Sequence, residues 1–161
     1  MSKMYVLTES SKETKKLGES IGKKLSYGSI IALTGELGSG KTTLIQGIGE
    51  GIGTTSMIKS PSFTIIHEYP GPIPLYHFDL YRLRDEQEIV SLGYEEYFYK
   101  REGIVVIEWA EKIKNFLPTE YLNINIQMLS LSERKINLEP YGSYYEGILN
   151  RIRGLRKIAH S

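Results

Sequence analysis

Residues Gly35-Glu36-Leu37-Gly38-Ser39-Gly40-Lys41-Thr42-Thr43 follow the apolar run Ile30-Ile31-Ala32-Leu33 and precede Leu44, Ile45 and Ile48 at helical spacing. A buried strand, a tight Gly-rich turn and a helix in that order match GxxxxGK[ST], and no other segment constrains the fold as strongly. A strand that turns so sharply into a helix aims backbone N–H groups and the positive helix end at one point, where a triphosphate fits. In that setting Lys41 belongs on the β- and γ-phosphates and the Thr42 hydroxyl on Mg²⁺. Glu36, Leu37, Gly38, Ser39, Gly40 and Thr43 complete the phosphate cradle.

Around this unit strands and helices alternate. Met4 to Leu7 reads as a strand, and Ser10 with Glu13 three residues on forms a capping box that opens a helix carrying Leu17, Ile21 and Leu25 to about Lys24. The helix after the Gly-rich loop should end near Glu50, because Gly47, Gly49, Gly51 and Gly53 weaken it by about 1 kcal/mol each against Ala. Phe63 to Tyr69 and Ile73 to Phe78 flank Pro70-Gly71-Pro72 as a hairpin-like pair ending at Asp79, and Arg84 to Leu92 has helical composition. Tyr94 to Tyr99 is ambiguous. Ile104 to Ile107 is a second buried strand with Glu108 at its C-terminal edge, and Tyr121 to Leu131 and Lys135 to Leu138 pair around a Ser-Glu turn. The expected fold is α/β and P-loop NTPase-like: a three-layer sandwich whose mostly parallel central sheet carries added antiparallel strands. With 161 residues and 40% hydrophobic content there is material for one core, hence one domain over 1–161, ending in a basic helix or tail at about 143–161.

A formal charge of +1 excludes global electrostatic recruitment of nucleic acid or membrane, so any such contact needs a local patch. Zero cysteines exclude disulfides, thiolate chemistry and Cys-ligated zinc. No signal peptide and no apolar window of about 20 residues is present, so the expectation is a cytoplasmic protein without membrane contact.

Phosphoryl transfer from ATP needs a carboxylate near Thr42, usually after an apolar strand. Glu108 fits best, since four apolar residues lead into it; Asp79, in Tyr76-His77-Phe78-Asp79-Leu80-Tyr81-Arg82, also qualifies, although a strand-terminal Asp beside His and Arg, viewed alone, is more often half of a structural ion pair. His77 reads as a satisfied core or hairpin residue rather than a ligand. Arg82 serves either as an internal arginine finger or in a salt bridge. Ser60, Ser62 and Thr64 could reach phosphate or metal as a nucleotide-sensing switch, or simply shape a turn with Pro61.

Gly35 to Thr43, Ser60-Pro61-Ser62-Phe63-Thr64, Tyr76 to Leu83 and Ile107-Glu108-Trp109 together resemble the bacterial TsaE family, small ATPases of tRNA threonylcarbamoyladenosine biosynthesis. The resemblance runs in order from about Tyr5 to Leu138. It implies that Asp79 and Glu108 are both required, that Glu108 joins Thr42 at magnesium, that Trp109 neighbours the nucleotide, and that Ser11 and Arg134 border the adenine. Ser62 stands where the family usually has Thr, and its hydroxyl is kept. The implied partners are the protein pair that transfers the threonylcarbamoyl group to adenosine 37 of tRNAs reading codons that begin with A, with tRNA met indirectly through that complex. Two rivals stay open. A P-loop small-molecule kinase would need a lid and an acceptor pocket, and an RNA-binding module would use Arg151, Arg153, Arg156 and Lys157. No NKxD sequence supports guanine binding.

Overall fold

The computed structural model describes residues 3–54, 58 and 64–155. Seven strands form one sheet in the order β1-β7-β6-β2-β5-β4-β3. The strands are β1 (Met4–Thr8), β2 (Ile30–Gly35), β3 (Ile66–Tyr69), β4 (Leu75–Asp79), β5 (Ile104–Glu108), β6 (Tyr121–Met128) and β7 (Arg134–Tyr141). β6, β2, β5 and β4 run parallel, whereas β7 pairs antiparallel with β6 and β1, and β3 antiparallel with β4. The β1, β2, β4, β5 and β6 strands therefore all end at one edge of the sheet. That edge carries the Gly-rich loop after β2, Asp79, Glu108, the start of α1 and the β6–β7 turn, which is where ligands lie in such sheets.

Alternating side chains divide the core into two layers. Ile31, Leu33, Val106, Ile124 and Leu138 pack under α1 (Ser11–Gly22), α2 (Lys41–Ile52) and α5 (Ser143–Leu155). On the opposite face Ile30, Ala32, Val105, Ile107 and Phe78 lie under α3 (Glu88–Ser91), α4 (Tyr94–Tyr99) and a 3-10 helix, Ala110–Phe116. This is the three-layer α/β arrangement expected.

Several boundaries differ from the sequence reading, each for a local reason. The second helix reaches Ile52 rather than stopping near Glu50, and Gly53 caps it at φ +97°. Its glycines are contacts rather than weak points. A Cβ on Gly47 would lie 2.1 Å from the Lys15 carbonyl oxygen, and one on Gly51 would lie 2.3 Å from that of Glu19. Gly18 and Gly22 return the relation against Leu44 and Ile48, so α1 and α2 cross backbone against backbone. The expected helix over Arg84 to Leu92 shrinks to Glu88–Ser91, because the Glu88 carboxylate accepts from the N–H groups of Arg84 and Asp85 and holds a turn there. Tyr94–Tyr99 is helical, with Tyr97 edge-on to Phe78, Phe98 tilted against it and Tyr94 edge-on to Phe98. The strand from Tyr121 stops at Met128, and its partner lengthens to Arg134–Tyr141. The strand expected from Phe63 begins at Ile66 among the described residues.

Candidate functional site

Gly40 leads into α2 with φ +107°, and Gly38 turns the loop with φ +80°, both in the left-handed region that favours glycine. The first turn of α2 thus opens toward the cleft with its amide hydrogens leading. Lys41, only 6% exposed, donates its ammonium to the carbonyls of Gly35 and Glu36, the latter at 2.9 Å, and lies 3.9 Å from the centre of the Trp109 ring. Burial lowers its affinity for a proton, while Glu108, Glu111 and Asp79 pull the other way. The loop is braced from outside: Arg134 donates Nε–H to the Ser39 carbonyl at 2.7 Å.

The two acids meet because their strands are parallel and in register, with Asp79 directly opposite Glu108. Glu108 is buried. Burial raises the Asp79 carboxyl above the ordinary carboxylate range and the Glu108 charge adds to this, opposed by the Tyr81 N–H, His77 and Lys41. The Tyr81 N–H donates to Asp79 Oδ1 at 3.1 Å and closes a tight turn. Lys112 donates to the carbonyls of Tyr81 and Leu83 and fixes that turn. Trp109 has φ +61°, an uncommon conformation for a bulky residue, which lays its ring between Lys41 and Tyr81, 5.2 Å from the tyrosine ring.

One cavity of about 430 Å³ is lined by Leu37, Gly38, Gly40, Lys41, Thr42, Thr43, Thr64, Ile65, Asp79, Tyr81, Arg82, Glu108 and Trp109. Most of the residues chosen from sequence converge there. Glu36 and Ser39 are not in its wall and take part through their carbonyls. Ser11 and Arg134 line a separate small hollow with Thr14, Leu131 and Ser132, which shares Gly40 and Thr43 with the cavity. Ser60 and Ser62 fall outside the described residues, whereas Thr64 reaches the cavity. His77 departs from expectation: it is fully buried, yet neither ring nitrogen has a hydrogen-bond partner. Tyr81 was passed over in the sequence; its place two residues after Asp79 was the available signal.

The donor set suits magnesium shared with phosphates. Asp79, Glu108 and the Thr42 hydroxyl line one cavity, and among the described residues no cluster of three or more His, Cys, Asp or Glu forms an all-protein cage. The buried Glu108 Oε1 has no hydrogen-bond partner, an unmet need taken up below.

The sheet order and the Gly-rich turn into α2 define an α/β protein with a P-loop NTPase-like fold. Residues 8–136 match the family described as threonylcarbamoyl adenosine biosynthesis protein TsaE, and the chain belongs to that family. It is 42% identical over 140 residues to the Bacillus subtilis "tRNA threonylcarbamoyladenosine biosynthesis protein TsaE", covering 86% of this chain and 87% of that one. A Nostoc protein of the same description is 43% identical over 145 residues, covering 88% and 87%. The crystal structure of Bacillus subtilis YdiB superposes with a TM-score of 0.81 at 35% identity, covering 96% of this chain and 97% of that chain.

Proposed function

We propose that this chain binds MgATP in the cleft, hydrolyses it, and serves tRNA threonylcarbamoyladenosine biosynthesis together with the threonylcarbamoyl-transferring protein pair. The observation that carries this reading is the convergence of Lys41, Asp79 and Glu108 on one cavity at the mouth of α2. The relatives' description supplies the pathway.

In this reading the phosphates enter at the first turn of α2, and the Lys41 ammonium leaves its loop carbonyls for the incoming β- and γ-oxygens. Thr42 and Glu108 hold magnesium, which when bound neutralises phosphate charge. Water attacks the γ-phosphorus, the bond to the bridging oxygen of ADP breaks, and the water proton passes to Asp79, whose raised proton affinity suits a base. Ser11 and Arg134 border the adenine from the hollow beside the loop. No helix among the described residues is long and apolar enough to cross a membrane; the cytoplasm is the place of work that goes with the proposed role in tRNA modification.

Calorimetry with ATP and ADP in the presence of magnesium tests the binding; absence of heat from folded protein would end the proposal. Phosphate release measured with and without the partner proteins tests the coupling, and faster release in the assembly is the expected result. Appearance of a phosphorylated metabolite in place of inorganic phosphate would favour the kinase alternative.

A further inference from the structure

His77 is buried to 0% exposure one strand away from Glu108, on the same face of the sheet. Its register partner on β5 is Val106, so the imidazole sits diagonally behind the carboxylate that faces Asp79. Nε2 lies 3.6 Å from Glu108 Oε1, and neither that oxygen nor either ring nitrogen has a hydrogen-bond partner. Behind it the Tyr69 ring is 6.5 Å away, and His67 lies directly across β3 from it. A leucine or phenylalanine would fill this place without leaving buried polar atoms unsatisfied. An imidazole kept there needs a use.

The geometry points to His77 as the positioning residue of Glu108: an Nε2–H donated to Oε1, 3.6 Å away, would hold that oxygen and leave the other for the cavity that Thr42 also lines. The separation is a few tenths of an ångström beyond a hydrogen bond, and a small rotation of the Glu108 side chain closes it. Outer partners of this kind orient a ligand before the metal arrives, and their loss typically costs about 10–100-fold in metal affinity. This role rests on the reading of Glu108 as a magnesium holder.

The test compares wild type, His77→Phe and His77→Gln as full chains, by calorimetry of magnesium uptake in the presence of ADP and of ADP uptake in EDTA. His77→Phe is expected to weaken magnesium uptake about tenfold or more while leaving magnesium-free ADP uptake unchanged, and His77→Gln, which keeps an N–H donor, to restore most of the loss. Equal magnesium uptake by His77→Phe and wild type, or no rescue by Gln, overturns the role of the histidine alone. If wild type takes up no magnesium with ADP, the functional reading falls and this role with it. Should His77→Phe fail to fold, the ¹⁵N imidazole spectrum of the metal-free protein decides. The His77 Nε2–H signal is expected to resist solvent exchange and to move in Glu108→Gln, and an unmoved signal overturns the assignment.

Discussion

Lys41 commits its ammonium to two carbonyls of its own loop and to the face of Trp109, so under the proposed function a nucleotide would have to compete for it. Lys41→Ala is expected to weaken ATP and ADP binding at least about tenfold, through loss of a charge-assisted contact, without lowering the melting temperature appreciably. Trp109 is the only tryptophan in the chain, and its fluorescence should change when the ammonium leaves its face. Titration with ADP should therefore move the emission of wild type and leave Lys41→Ala flat; a response retained in the variant would separate Trp109 from the lysine. Asp79 carries a pH signature. Its folded proton affinity lies above that of the unfolded chain, so the ionised form is penalised at high pH, and stability recovers as pH falls through the folded pKa toward the ordinary aspartate value. Denaturation of nucleotide-free protein across the acidic range should show wild type gaining stability relative to Asp79→Asn as pH drops, and parallel curves would contradict the assignment.

At the scale of elements, the α1–α2 crossing inverts the usual advice about glycine. In an exposed helix Gly47→Ala would gain about 1 kcal/mol, but here the new methyl meets the Lys15 carbonyl, and overpacking of this kind costs about 1–3 kcal/mol. Urea denaturation should show the loss, and a stabilised variant would mean the helices separate without penalty. Neither the crossing nor its need for glycine was legible in the sequence. Propensity sees one helix at a time, whereas the close approach belongs to two segments far apart in the chain. The Gly-rich loop and the strand ends at Asp79 and Glu108 were legible, because each is a local pattern: apolar residues followed by a turn or an acid. The pairing of Asp79 with Glu108 needed the parallel register of β4 and β5, which no local pattern states. The aromatic segment Tyr94–Tyr99 looked ambiguous for a similar reason. Its rings at 94, 97 and 98 fit a helix face only once the sheet surface around Phe78 is present to receive them.

For the molecule as a whole, α5 is part of the layer that carries α1 and α2. Tyr145 accepts the Ile30 N–H through its hydroxyl at 2.8 Å, and Ile148, Leu149 and Ile152 share one core with Leu33, Leu44 and Ile48. A chain ending at residue 142 should lose cooperative thermal unfolding and nucleotide binding together, as circular dichroism and calorimetry can show; retention of either would make α5 an appendage. The joined backbones of α1 and α2 have a wider consequence. Ser11 begins one of these helices and Lys41 the other, so under the proposed function the phosphate cradle and the neighbouring hollow assigned to the base would travel as a single block. If the proposed function holds, a difference between triphosphate and diphosphate would be felt at Asp79, Tyr81 and Trp109, which are anchored by a turn and ring contacts rather than by two interlocked helices.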